Sequence, residues 1–396
     1  MNAESRQPAG NSPAPGQTVT IVRRFCAILM VAGLAALLFG PAAFDADQSP
    51  SVLLANFLFW SGLACGLLAW AAILWIARAS WAAAVTRIGH SGLAFLPVSL
   101  ALLAVLYVLR GEILPWLRHP IPEKAAWLNL PFLCVRTGGS LLLLAIACAA
   151  MVAANLRADK MQQVTARTRS LLTRLSILVV LLYVLAFTFM ALDLVMSLSP
   201  RWYSTMLPPY FFVSNLYASL AALILLGLLV RRSAGAGKYL GAAQFRDLGN
   251  LMLGFGMLSI GLFYAQFLTI WYGNIPEETG FIIARYYAPA WRVISWAAFG
   301  IAYGLPFFLL QSRWLKQRPG LLALVALVAL VGVWLERCVM VVPSLAPTSQ
   351  WLGLTQVMIS LGFLGAFGFT TLAFLARVAP VSKAGVDIEL SDGVAL

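Results

Sequence analysis

The chain has 396 residues, of which 61% are hydrophobic and only 10% charged. An ordinary soluble domain is about 45–50% apolar and about 25% charged, so a soluble enzyme carrying a single anchor is excluded. The net charge of +13 is spread along the chain rather than gathered in a basic module, which points to membrane topology and away from nucleic acid.

Apolar runs long enough to cross a bilayer occur at 21–40, 52–77, 91–109, 132–156, 172–198, 209–230, 247–273, 290–312, 320–343 and 350–376. Each must satisfy its backbone polar groups internally, so each is expected to be a helix. The period-two alternation of a membrane barrel is absent. The fold class read from this pattern is an all-α integral membrane protein of about ten spans. Arg23 and Arg24 precede the first run and Pro41-Ala42-Ala43 follows it, which has some look of a signal peptide. The basic pair comes after a 22-residue polar lead, and removal of span 1 would leave an odd number, so span 1 is read as retained. Residues 1–20 and 377–396 are rich in Pro, Gly, Ser and small residues and read as disordered tails.

Lys and Arg set the orientation. One side holds both tails and the connections after spans 2, 4, 6 and 8, with 19 of the 27 basic residues; the other holds 8. Both termini are therefore expected in the cytoplasm. The opposite side owns the long connections 110–131 and 274–289, either of which could shape a docking surface.

The five Cys are scattered, with no C-x-x-C, and the two His, His90 and His119, fall on opposite sides of the membrane. No iron–sulfur cluster, c-type haem, bis-His haem or structural zinc is expected in this chain.

Two halves share spacings. Asp193 precedes Pro200 by seven residues and Glu336 precedes Pro343 by seven. Arg136 and Arg157 bracket span 4, 21 apart, and Arg292 and Arg313 bracket span 8, also 21 apart. A shift of four spans keeps orientation, so this predicts a parallel repeat, 52–198 and 209–343, with spans 1 and 10 flanking.

Charges inside spans are functional candidates by default. Asp193 lies about two turns inside span 5, with Ser197 at i+4 on the same face. A lipid-facing carboxylate there costs about 2.5–3.5 kcal/mol on insertion scales, so Asp193 is expected to face the bundle interior. Glu336 lies at similar depth in span 9, and Arg136 and Arg292 sit in the first turns of spans 4 and 8. These groups either line a buried proton path or form ion pairs that pin helices. Neighbours in a helix point about 100° apart, so Glu336 and Arg337 are not required to pair with each other. Asp247 opens span 7, where an acid suits the helix dipole or marks a proton entrance. Tyr264 and Gln266 complete the candidate proton-path set. Trp271, Tyr272, Glu277 and Glu278 close span 7, and Arg201 and Trp202 lie in the turn after span 5; these six are candidates for an aromatic belt or for partner docking. No nucleophile with a base beside it, no Walker motif and no H-E-x-x-H is present.

Four strings carry a resemblance: KAAWLNLPFLCVR at 124–136, ALDLVMSLSPRWYST at 191–205, FRDLGNLM at 245–252 and FLTIWYGNIPEET at 267–279. They resemble the ActF-like membrane subunits of bacterial alternative complex III, within the wider NrfD-like family. The resemblance runs in order over spans 2 to 9. It implies two four-helix bundles, spans 2–5 and 6–9, in a quinol-oxidising complex. It implies a chain with no redox centre of its own, contributing to a proton path. Haem and iron–sulfur clusters would lie in partner subunits, a multihaem cytochrome c and an iron–sulfur protein, beside an NrfD-like paralogue. Quinol would bind at a subunit interface, and lipid would surround the spans. The family's carboxylates fall on Asp193, Glu336 and Asp247. Three positions where members often carry His are Arg246, Arg201 and Val333 here, and the span 9 acid is Glu rather than Asp. The other readings are an NrfD-like quinone-binding anchor and, in a different class, a secondary transporter. A transporter favours helix breaks at corresponding places in both halves; Pro97 and Pro306 lie in spans 3 and 8, which do not correspond.

Overall fold

The computed structural model describes residues 17–43, 49–79, 81, 83–161, 164–231, 237, 239–346, 353–379 and 381–382. Ten helices are long and apolar enough to cross a membrane, and the described residues contain no strand. They are α1 (Gln17–Ala43), α2 (Ser49–Ile76), α3 (Ala83–Val108), α4 (Leu130–Ala158), α5 (Ala166–Leu198), α6 (Leu207–Arg231), α7 (Ala242–Gly273), α8 (Arg292–Leu310), α9 (Pro319–Leu345) and α10 (Leu354–Leu375). The chain is an all-α, multi-span membrane protein. The expected tails lie mostly outside the described residues, although α1 already begins at Gln17.

Two helices are apolar all round and sit at the centre, as that pattern requires. The apolar window of α2 is 94% buried and that of α6 is 78% buried. Around α2, helices α3 and α5 pack directly, α4 packs on α5, and α3 meets α4. Around α6 the same contacts recur four helices later: α7 and α9 pack on it, α8 packs on α9, and α7 meets α8. The halves join through α2–α6, α5–α6 and α2–α9. The last two contacts exchange under the same shift. At the α2–α6 crossing Gly62 and Gly66 lie against the side chains of Asn215 and Ser219, so the backbones approach closely. α1 lies along α10, Gly33 against Gly362, and turns Phe25, Ile28 and Val31 outward.

The apolar runs missed how far some helices extend beyond the hydrophobic core. α3 starts at Ala83 and passes through a 3-10 turn at Ser91–Phe95 before Pro97. The connection 274–289 is largely helical, with Pro276–Ile282 followed by a π-turn at Ile283–Tyr287. Further π-turns occur at Cys134–Gly138 in α4 and Gly300–Gly304 in α8. Such turns leave the regular ladder and are frequent at functional sites.

Candidate functional site: two buried ion-pair centres

The first centre joins α4 to α5. Arg136 and Thr137 lie in the π-turn that opens α4, and both reach the Asp193 carboxylate. Arg136 Nε donates to Oδ2 at 2.8 Å, Nη2 donates to Oδ1 at 2.5 Å, and Thr137 Oγ1 donates to Oδ2 at 2.7 Å. Asp193 is wholly buried, inside the bundle. The fork matches the two carboxylate oxygens, which makes this the strong form of charge-assisted hydrogen bond. The guanidinium also lies over the rings of Trp127 and Phe132, 3.8 and 4.3 Å from their centroids. Ser197 does not touch the carboxylate. Its hydroxyl donates to the Asp193 backbone carbonyl at 2.5 Å, where the α5 ladder ends.

The second centre joins α6, α8 and α9. Arg337 Nη1 donates to Glu336 Oε1 at 2.8 Å, so these sequence neighbours do pair: the long, jointed side chains bridge the azimuth between them. Tyr303, in the π-turn of α8, donates to Glu336 Oε2 at 2.7 Å. Arg337 Nη2 donates to Ser214 Oγ at 2.5 Å and to Asn215 Oδ1 at 3.0 Å on α6. Arg337 is fully buried and Glu336 nearly so. Gly332 makes this possible, because it lets α9 approach the α8 backbone at Ala302.

Prolines supply two further anchors. A proline has no N–H for the carbonyl four residues back, so that acceptor must be met otherwise. Pro306 cannot donate to the carbonyl of Ala302, and Tyr217 Oη donates to it at 2.7 Å. Pro343 cannot donate to the carbonyl of Val339, and Arg285 Nε donates to it at 3.0 Å. Arg285 also donates to the carbonyls of Met340 and Phe281 and to Ser344 Oγ. Burial pushes its guanidinium down to about 9, which still leaves it charged at neutral pH.

The remaining candidates are placed elsewhere. Arg292, expected as the counterpart of Arg136, is exposed at the start of α8. The buried arginine ahead of α8 is instead Arg285, because Pro289 separates the helix of α8 from an upstream helical segment that turns Arg285 inward. Tyr264 is 60% exposed. Gln266 is buried with no partner for Oε1. Asp247 stands part-exposed at the far end of α7, 3.3 Å from Arg246 Nε. Among the docking candidates Trp271 and Tyr272 are strongly exposed, Arg201 and Glu277 are exposed, and Glu278 is half-buried. Trp202 is not a surface residue. It stacks on Phe281 with centroids 3.6 Å apart, tying the turn after α5 to the segment before α8.

Several residues of these centres were not singled out from sequence: Thr137, Ser214, Asn215, Tyr303 and Arg285. Arg285 had a legible signal, a lone charge in the apolar string Phe281-Ile282-Ile283-Ala284-Arg285. The others are ordinary polar residues whose role depends on which helix faces them. A further pair, buried Arg87 with half-buried Asp159, links the start of α3 to the end of α4.

No protein-family model matches the chain, and no curated protein sequence matches it.

Chemically, each centre is a buried carboxylate held by one arginine and one hydroxyl. A hydroxyl can donate and accept, so each carboxylate has a neighbour able to pass a proton. Among the described residues no group of three or more His, Cys, Asp and Glu is gathered to hold a metal ion.

Proposed function

We propose that this chain is an integral membrane subunit of a quinol-oxidising respiratory complex of the alternative complex III type. It carries no redox centre itself and contributes to a transmembrane proton path. The observation that supports the reading is the matched pair of centres. A carboxylate in the last helix of each half is buried beside an arginine and a hydroxyl, Asp193 with Arg136 and Thr137, and Glu336 with Arg337 and Tyr303. Buried ionisable groups are costly in a membrane and mark ion or proton pathways. The motif resemblance supplies the complex: an NrfD-like paralogue, an iron–sulfur protein and a multihaem cytochrome c, with quinol at a subunit interface. The Lys and Arg distribution supports a cytoplasmic location for both termini.

Purifying the tagged chain from its native membrane in mild detergent tests the reading. A multihaem cytochrome and an iron–sulfur protein are expected in the preparation. Recovery of the chain alone, with uptake of a solute driven by an ion gradient, would favour a transporter. The isolated chain is expected to show no haem Soret band and no iron–sulfur resonance. Reporter fusions at residue 396 and within 274–289 should report opposite sides of the membrane.

Glu336→Gln separates a proton role from a structural one. The amide keeps the shape and still accepts from Arg337 through its oxygen, while its NH2 donates to Tyr303 Oη where the carboxylate accepted, and it does not exchange a proton at ordinary pH. Proton translocation should fall at least tenfold while subunit yield stays within twofold, of the order expected when a positioned proton carrier is removed. Loss of yield with unchanged translocation per complex would make the centre structural only.

A further inference from the structure

One surface lies apart from both centres, where α4 turns into α5. Residues 157–174 carry five cations, Arg157, Lys160, Arg167, Arg169 and Arg174, and a single acid, Asp159. All five cations are exposed. Asp159 is paired with Arg87, and among the described residues no acid lies within ion-pair distance of any of the five.

α5 sets two of these cations on its outer face. Arg167, Leu171, Arg174, Leu178, Leu181 and Leu185 follow one another three or four apart, so they form one stripe along the helix. Every member is exposed, the leucines by 44% to 63%. Arg174 is the informative member. It lies about two turns inside α5, with an exposed leucine one turn away on either side of it on its own face. A cation on a lipid-facing stripe is costly unless it reaches an anion at the membrane interface. The chain supplies no acid there, and the anion found at that depth of a bilayer is a lipid phosphate. From Arg174 to Leu185 the helix rises about 16 Å, close to one leaflet of a hydrocarbon core about 30 Å thick.

The equivalent surface of the other half lacks this arrangement. α9 has an outer stripe of the same kind, Leu321, Leu324, Leu327 and Val331, but no cation in its first four turns. Arg313 and Arg318 precede it, the latter held over the ring of Trp314, and Lys316 is buried against Asn250. An arginine within the stripe therefore belongs to the first half alone.

We infer that this stripe of α5 binds an anionic phospholipid, its phosphate held between Arg167 and Arg174 and an acyl chain lying along Leu178, Leu181 and Leu185. Arg157, Lys160 and Arg169 add attraction for a headgroup of net negative charge, as basic clusters at the ends of membrane helices do. The site needs only a membrane-spanning chain and stands independently of the complex proposed above.

The test uses the full chain reconstituted in vesicles of equal phosphatidylethanolamine and phosphatidylglycerol, re-extracted, and weighed by native mass spectrometry. The lipid retained by the wild type should be enriched about fivefold in phosphatidylglycerol, the factor that about 1 kcal/mol per basic residue at a membrane surface supports. Arg167→Gln with Arg174→Gln should return the retained lipid to the vesicle ratio. Arg313→Gln with Arg318→Gln removes the same charge from the same side of the other half and should leave the enrichment in place. Four results would overturn the inference: no retained lipid in the wild type, a retained composition equal to that of the vesicle, unchanged enrichment in the Arg167, Arg174 variant, or equal loss of enrichment in both double variants. The substituted side chains are exposed, so neither variant disturbs the core.

Discussion

Arg136→Met is expected to lower the stability of the chain by about 3–5 kcal/mol, the usual cost of removing one partner from a buried ion pair. The variant takes both guanidinium bonds from Asp193, which has no solvent access, and leaves it only the hydroxyl of Thr137. It also removes the cation from the faces of Trp127 and Phe132. The double variant Arg136→Met, Asp193→Leu removes both charges, and replacing a buried pair with apolar residues of similar size is often neutral. It should therefore recover most of the loss. Thermal unfolding of wild type, both single variants and the double variant in the same detergent gives the comparison. If Arg136→Met melts with the wild type, the pair does not hold α4 to α5. If the double variant is as unstable as the single one, the cost lies in packing around the site rather than in the unpaired charge.

Gly332→Ala should be nearly as damaging, for a steric reason. A methyl group there would lie 2.2 Å from the backbone nitrogen of Ala302, 2.4 Å from its Cα and 2.7 Å from the carbonyl carbon of Ile301. All three are backbone atoms, so no side chain can move aside and α8 must withdraw from α9. Overpacking of this kind costs about 1–3 kcal/mol and occasionally more. Withdrawal also pulls Tyr303 away from Glu336, so the second centre loses its hydroxyl as well. Gly254→Ala is the control. A methyl group at that position of α7 meets nothing within 4 Å, and alanine is favoured over glycine inside a helix by up to about 1 kcal/mol. The control should melt at or above the wild-type temperature and Gly332→Ala well below it. Equal melting of the two would show that the close approach of α8 and α9 is not required.

The candidate centres were partly legible before any fold was known. A carboxylate about two turns inside an apolar run can rest only in the interior, so Asp193 and Glu336 stood out on energetic grounds. Their partners did not. Arg292 has the sequence spacing of Arg136 but is exposed, whereas Arg285 is the residue turned inward. Spacing along a chain assumes one continuous helix, and the π-turns and Pro289 break that assumption just where the arginines sit. Trp202 in a polar turn looked like a surface aromatic, yet Phe281, nearly eighty residues away in sequence, covers it. Pro343 marked the repeat, but that it leaves a carbonyl for Arg285 depends on the helical segment before α8 lying alongside α9.

By itself the sequence determined the class and the count: an all-α membrane protein of ten spans, because apolar segments of that length must satisfy their backbones internally as helices. Only the tertiary structure decided which arginine meets which carboxylate, which carbonyls freed by proline are capped, and which aromatic rings are covered. Those contacts join residues of different helices over a few ångströms, and one local turn or one glycine shifts side chains by more than that. Hydropathy records how deep a residue lies but not which neighbour it faces.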